Sequence, residues 1–524
     1  MNVLTILTID PVTRIEGHLK VELQIDDSTK PFPTVSEAQC SGTLFRGIEI
    51  ILKNRDPRDA FHIAQRICGV CPTAHGNASI MALDEVFGVR PPDNAILIRN
   101  IIQGANFLQS HILHFYVLQG IEWGVLADIP EMLPPIKTGL GTHYIKAIEM
   151  RRKAHELASI FGGKMPHHAS YVPGGVTVLL TPDKVALAQN MIIDLKNFVE
   201  DMMISDSERI VNNLRKLGLY DLVKTIGKGT GNFLSYGGFP APETYEDRTR
   251  WLFKSTSGFD EKEIREYVGA SWYDETWTNK HPSEKETKDH IEKPNAYSWI
   301  TAPRYRGKVY ETGPLARMVN SNLYDLIERK GSALDRTLAR CKEAGVIANA
   351  MVKWISDLRP GEKVFKRWKM YPNVPNSGEG TGLWEAPRGS LGHWLKVKDK
   401  KVERYQVVTP TNWNASPRDD QGRMGPMETA LTGTLIPKVD THDFLTNLGH
   451  PLAEEVEKLD LSNLNYWDGY NTTLPLLVIR SFDPCLACSV HLLTTDKRRP
   501  IKKLAEDVSS SWSAWFFRKL EDKE

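Results

Sequence analysis

The stretch DPCLACSVHLLTTDKRRP, Asp483 to Pro500, decides how the rest of the chain is read. It holds a C-x-x-C pair, Cys485 and Cys488, then His491, then a basic run. Asp483 is a residue type that caps helices, and Pro484 suits a first helical position. On that reading Cys485 and Cys488 share one face of the opening turns. The electropositive helix start would favour thiolate over thiol. His491 would lie about 120° away around the helix, so it serves a second site rather than the same metal.

A second pair lies in QRICGVCPTAHGNAS, Gln65 to Ser79. Gly69 lets the backbone turn tightly between Cys68 and Cys71. Pro72 could open the helix that follows. His75, one turn after Cys71, is a candidate ligand or a donor to one. The two pairs stand at opposite ends of the chain. A zinc ribbon instead keeps its pairs about 15–20 residues apart. Thiolates accept zinc, iron or nickel. Spacing alone leaves open a structural four-thiolate metal, a catalytic thiolate metal and two unrelated pairs.

Composition narrows the class. The chain has 524 residues, 41% hydrophobic and 25% charged, with net charge +1. Length alone suggests about three domains, but no repeat or low-complexity linker divides the chain. Near-neutral charge gives no case for nucleic acid or acidic lipid. No apolar run is long enough to span a membrane. The first residues, MNVLTILTIDP, lack a basic region and a cleavage site, so no signal peptide is expected. Six cysteines are too few for a secreted disulfide scaffold.

HLKVELQID, His18 to Asp26, alternates apolar and polar residues as a half-buried strand does. Helical patterns run over 56–88, broken at CGVCP, and over 93–126, 145–161, 184–217 and 314–358. Residues 228–310 are rich in Gly, Tyr, Trp and charge. They are expected to form mainly surface loops, an insertion facing a partner. Short strand-like runs alternate with turns over 362–437. The expected fold class is mostly α with small β-sheets (α+β), a single large helical body over 1–491 with the sheets at its edges.

RICGVCPTAH and FDPCLACSVH together resemble the large subunit of a nickel–iron hydrogenase. DPVTRIEGH at Asp10, GTLFRGIEIILKNRDPRDA at Gly42, PHHASYVPGG at Pro166, GPLAR at Gly313, EAPRG at Glu385 and TPTNWN at Thr409 agree with it. The resemblance implies a Ni-Fe centre whose iron carries CO and CN. It makes Cys68 and Cys485 terminal nickel thiolates, and Cys71 and Cys488 bridges. The implied reaction is heterolytic cleavage of H2 to protons and electrons, in an uptake enzyme of the membrane-bound type.

The resemblance gives other residues roles. Glu16 would take a proton from a terminal cysteine; otherwise it would be a strand-edge partner of Arg14. Arg388 would sit over the open metal face, paired with Asp483. Thr411 would donate to a cyanide nitrogen, where it would otherwise be a strand-end threonine. His75 would stand near a bridging cysteine, and His167 near a cluster in a partner. Glu49, His491 and the carbonyl of Val407 would hold magnesium or a similar ion. Ser110 stands where many relatives have an aspartate, so a carboxylate beside Arg388 is expected to be missing. Cys40 and Cys341 read as ordinary buried thiols.

No cysteines remain for an iron–sulfur cluster. The resemblance therefore implies a small subunit that carries the clusters and the export signal, and through it a membrane cytochrome. That places the complex at the periplasmic side of the cytoplasmic membrane, with the cytoplasm as the alternative. Residues 492–524 read as an extension that a maturation protease removes after His491. The rival readings are a non-catalytic protein with structural zinc, and a metal-free C-x-x-C disulfide oxidoreductase.

Overall fold

The computed structural model describes residues 5–29, 32–135, 141–326, 328, 330–451, 453–454 and 465–489. His491 and the extension 492–524 lie outside the described residues. The chain opens with an antiparallel sheet of β1 (Thr5–Ile9), β2 (Leu19–Asp26) and β3 (Thr34–Gly42). The alternation in β2 does what its period predicts, burying Leu19, Val21, Leu23 and Ile25 on one face.

Helices α1 (Pro72–Val86), α2 (Asp93–Leu113), α3 (Thr142–Gly162), α4 (Pro182–Phe198) and α5 (Ala333–Asp357) form the body. Helix α2 packs on α3 and α5, and α4 packs on α3 and α5. Residues 94–112 of α2 are buried all round, the pattern of a helix threaded through a large core. Its one charged buried side chain is paired: Arg99 donates to Asp84 Oδ2 of α1 at 2.6 Å. Three of the starts have a local cause. Pro72 and Pro182 sit in first turns. Ser332 forms a capping box with Asp335.

That cap corrects the expected single helix over 314–358. The segment is a short helix, Pro314–Asn320, then a break, then α5. The Ser-x-x-Asp start takes precedence over the apolar period running through it.

Strands β4 (Ser377–Ala386), β5 (Gly389–Lys398) and β6 (Lys401–Val408) form an antiparallel sheet, with Ser377 opposite Lys398 and Gly392 opposite Val408. This sheet is not at an edge, contrary to expectation, for β5 is buried along nearly its whole length. Two glycines explain why. A Cβ at Gly380 would lie 2.1 Å from Ala82 O, and one at Gly382 would lie 1.7 Å from Ala78 O. Alternate residues of β4 thus face successive turns of α1, and only hydrogen lets the helix lie directly on the sheet.

Residues 228–310 are rich in loops, as expected, with short strands such as Tyr236–Gly238, Phe253–Ser255 and Ile264–Tyr267 among them. Tyr236, Trp251, Phe253, Tyr273 and Trp277 are buried there. The aromatic content that suggested an exposed insertion is core material. Helices α6 (Thr473–Ser481) and α7 (Leu486–Ser489) bring the last described residues into the centre. The fold is α+β, helices dominating.

Candidate metal centre

The two C-x-x-C pairs meet. Cys68 Sγ lies 3.3 Å from Cys485 Sγ, Cys71 Sγ 3.2 Å from Cys488 Sγ, and Cys485 Sγ 2.8 Å from Cys488 Sγ. All four are free thiols and buried. Their ligand atoms fall within 4.8 Å of one another. Disulfide sulfurs sit at about 2.05 Å, so none of these pairs is bonded.

Local structure sets this up. Cys68 is extended (φ −140°, ψ 142°) at the end of a 3-10 turn, and Cys71 precedes Pro72 at the start of α1. The backbone N–H groups of Val70 and Cys71 both donate to Cys68 Sγ at 3.2 Å. Across the site, Cys485 pairs with Glu16 as a parallel bridge, and Leu486 N–H donates to Glu16 O at 2.8 Å. Gly17 allows the approach. Its φ is +82°, and a Cβ there would lie 2.8 Å from Leu486 Cβ. Arg46, to which the sequence reading gave no role, donates to the carbonyls of both Ile67 and Ala487. It ties the two cysteine segments together.

Asp483 does not cap a helix. It adopts φ 52°, its N–H donates to Arg480 O at 2.9 Å, and the helix begins only at Leu486. Its side chain goes elsewhere: Arg388 Nε donates to Oδ1 at 3.0 Å and Arg340 Nη1 to Oδ2 at 3.2 Å. Burial raises this carboxyl, but Arg388, His114 and Arg340 outweigh it and hold it below its ordinary range. A four-residue helix offers little dipole to the thiols, so the expected electropositive helix start contributes little.

The thiols nonetheless differ. Burial raises Cys68, yet hydrogen bonds from Cys485, Cys488 and Cys71 together with Arg388 bring it well below the usual thiol value. Burial pushes Cys485 and Cys488 well above it. Four thiolates this close in a buried site would repel one another. Releasing the other protons takes a cation among the sulfurs.

Glu16 borders the cluster. Cys485 Sγ donates to its Oε2 at 3.1 Å, and Ala487 N–H donates to the same oxygen at 2.9 Å. Burial first, then the charge of Cys68, raises its carboxyl. Arg14 pairs instead with Glu122. Arg388 is 2% exposed, and its Nη1 and Nη2 find no partner among the described residues. Two buried orphan donors beside the sulfurs fit a group bound there that can accept hydrogen bonds. Thr411 lies in the first turn of a helix, Pro410–Asn414, not at a strand end. Its Oγ1 accepts from Cys485 N–H at 2.9 Å, which leaves its own proton to give. The donor set fits a sulfur-held metal with small polar ligands.

His75 Nε2 lies 3.3 Å from Cys488 Sγ, and burial lowers its pKa to about 4. Its Nδ1 is 3.1 Å from His393 Nε2. His393 was not singled out from sequence, although it stands in LGHW, six residues after Glu385–Pro387. Ser110 is buried on α2, and its hydroxyl has no partner among the described residues. Asp483, shared with Arg340, is the carboxylate at Arg388.

Other expected residues lie apart from the sulfurs. Glu49 is buried; Val407 N–H donates to its Oε1 at 2.8 Å, and Thr287 donates to its Oε2. Burial raises it to about 7. Glu49 is thus held beside Val407, whose carbonyl is the ligand expected there. His491, the third member expected there, lies outside the described residues. His167 is half-buried with φ 62°. Cys40 and Cys341 are buried, away from the cluster.

Four unbridged thiols in a core closed to water are chemistry for a soft metal, so the fold and site define a thiolate metalloprotein. Comparison with known proteins narrows this. The family described as Nickel-dependent hydrogenase matches residues 46–135 and 129–442, and a HoxL-like description matches 6–31. The chain is 38% identical to the periplasmic [NiFeSe] hydrogenase large subunit of Desulfomicrobium baculatum, covering 93% of this chain and 95% of that protein. It is 31% identical to the uptake hydrogenase large subunit of Rhizobium leguminosarum bv. viciae, over 94% and 96%. The reduced Ni-Fe-Se hydrogenase from D. vulgaris Hildenborough superposes with TM-score 0.77 at 36% identity, over 93% of this chain and all of that one. The chain belongs to the nickel-dependent hydrogenase family, whose large subunits it matches almost end to end.

Proposed function

We propose that the chain is the catalytic large subunit of a nickel–iron hydrogenase, with Cys68, Cys71, Cys485 and Cys488 holding the Ni-Fe centre. The observation that carries this is the joining of a four-sulfur cluster to a proton acceptor, Cys485 Sγ donating to Glu16 Oε2 at 3.1 Å. When bound, nickel and iron supply redox and Lewis-acid chemistry for heterolytic cleavage of H2. Cys68 and Cys485 would hold the centre together with Cys71 and Cys488. Cys485 Sγ holds the proton released from H2 and passes it to Glu16 Oε2. Burial keeps that carboxyl basic enough to receive it. Arg388 Nη1 and Nη2 and the Thr411 hydroxyl are free to donate and would hold small ligands such as CO and CN on the bound iron. Asp483 holds Arg388 in place.

The electrons need a way out. With four of the six cysteines in the centre, and Cys40 and Cys341 buried singly, the chain offers no cluster ligands. A small subunit carries the iron–sulfur clusters, approached by His167. The complex is exported with that subunit and oxidises H2 at the periplasmic side of the cytoplasmic membrane, feeding a membrane cytochrome. Among the described residues no helix is long and apolar enough to cross a membrane, so the attachment falls to a partner. A protease cuts after His491 once nickel is loaded. Glu49, with His491 and Val407, holds magnesium.

Metal analysis and infrared spectroscopy of the purified complex test the centre. One nickel per complex, with iron in excess of it from the small subunit's clusters, and bands of metal-bound CO and CN, are expected. Stoichiometric zinc without those bands would replace this reading with a structural site.

A further inference from the structure

We propose that His393 and Tyr405 are positioning residues for the centre. With His75 they form a one-way row of hydrogen bonds that ends on Cys488 and obliges His75 to give that sulfur an N–H. This rests on the reading of Cys488 as a metal thiolate.

The row is continuous. Tyr405 OH lies 2.6 Å from His393 Nδ1, His393 Nε2 lies 3.1 Å from His75 Nδ1, and His75 Nε2 lies 3.3 Å from Cys488 Sγ. All four residues are at most 2% exposed, so water does not interrupt it. A neutral imidazole has one donor and one acceptor nitrogen. Two imidazoles in series can therefore run in only two senses, and each ring dictates the next.

The sulfur end chooses. A metal-bound thiolate has no proton to give, so it accepts from His75 Nε2–H. His75 Nδ1 is then bare and accepts from His393 Nε2–H. His393 Nδ1 is bare in turn and accepts from the Tyr405 hydroxyl. The phenol is the head of the row. It is fixed on β6, diagonal to His393 on β5, where Val407 faces His393 and Tyr405 faces Leu395. His75 enters from α1, the helix that the glycines of β4 let lie on this sheet. The sheet thus orients a ring on the helix, and the ring meets the metal's sulfur.

An N–H donor withdraws charge from a thiolate, and hydrogen bonds to metal-bound sulfur tune a centre's electronics. The test uses the purified wild-type complex and three variants: Tyr405→Phe, His393→Gln, and the double variant. Glutamine keeps an N–H near the position of His393 Nε2 and needs no phenol to orient it. Tyr405→Phe alone is expected to move the infrared bands of metal-bound CO and CN to lower wavenumber, as the sulfur becomes more electron-rich. Turnover is expected to fall about tenfold. On the His393→Gln background the same Tyr405→Phe change is expected to add no shift. Equal shifts on both backgrounds, or none on either, would overturn the proposal. If Tyr405→Phe fails to load metal, loading restored in the double variant supports it, and loading still absent overturns it. Tyr324→Phe, whose hydroxyl donates to Asp335 away from the row, should leave the bands in place. A wild-type complex without nickel or without the bands would instead sink the functional reading on which this one stands.

Discussion

At the scale of single residues, the pair Glu16 and Cys485 carries the chemistry. The carboxylate is positioned twice, by the sulfur and by Ala487 N–H, and its backbone carbonyl accepts from Leu486. Its aim is thus fixed by the same strand contact that brings Cys485 in. Glu16→Gln keeps the shape and one acceptor oxygen but cannot take up a proton. H2 oxidation is expected to fall by about 10²–10⁴, the usual worth of a positioned acid–base group, with nickel and iron content unchanged. Activity within about tenfold of wild type, at full metal content, would remove Glu16 from the proton route. Gly17 next to it tests the positioning separately. Gly17→Val places a branched side chain at φ +82° and against Leu486. The chain contact should open and nickel content should fall, read by elemental analysis before any assay.

At the scale of elements, the turn between β4 and β5 carries Arg388, and a second arginine holds that turn. Arg317 is fully buried on the helix Pro314–Asn320. It donates to Ala386 O at 2.9 Å and Pro387 O at 2.8 Å, and it pairs with Glu385 and Glu343. Arg317→Lys keeps the charge but loses the fork. Two lost charged hydrogen bonds at about 1.5 kcal/mol each predict about 3 kcal/mol of destabilisation, read by thermal melting. Turnover should fall further than metal content, because Arg388 loses its aim. The motifs EAPRG and GPLAR were legible in the sequence; their joining was not, because it depends on two buried carboxylates distant in the chain. Asp483 is a residue type that caps helices, but Arg388, the partner the resemblance gave it, and Arg340 draw the side chain away and leave the backbone left-handed. His393 and Tyr405 escaped because strand alternation gives a face, not a register. Here the register also slips between Lys396 and Val397. The cysteine pairs and the helical body were readable, since motif and period are local.

At the scale of the whole molecule, these contacts join into one buried ionic chain. It runs from Arg388 through Asp483, Arg340 and His111 to Glu343, Arg317 and Glu385. Burying so many charges is costly unless each is met by its opposite, so the core's stability should depend on their protonation. Glu343 is the clearest case. Burial raises its carboxyl, but Arg317 and His111 overcome that and hold it at about 2. A carboxyl in the unfolded chain titrates near 4.3. Because the folded value is the lower one, the unfolded chain takes up the proton first as the solution is acidified. The stabilisation is therefore complete above about pH 4.5 and is lost as the pH falls toward about 2; its size is on the order of 3 kcal/mol. Glu343→Gln, which has no proton to take up, should melt below wild type at neutral pH. The gap in Tm should then narrow steadily below about pH 4.5 and lose more than half its size by about pH 3. Melting the purified complex of each across pH 7 to 3 decides it. A gap that stays constant would mean that Glu343 titrates alike in the folded and unfolded chain, and that the ionic chain does not hold its charge in the core.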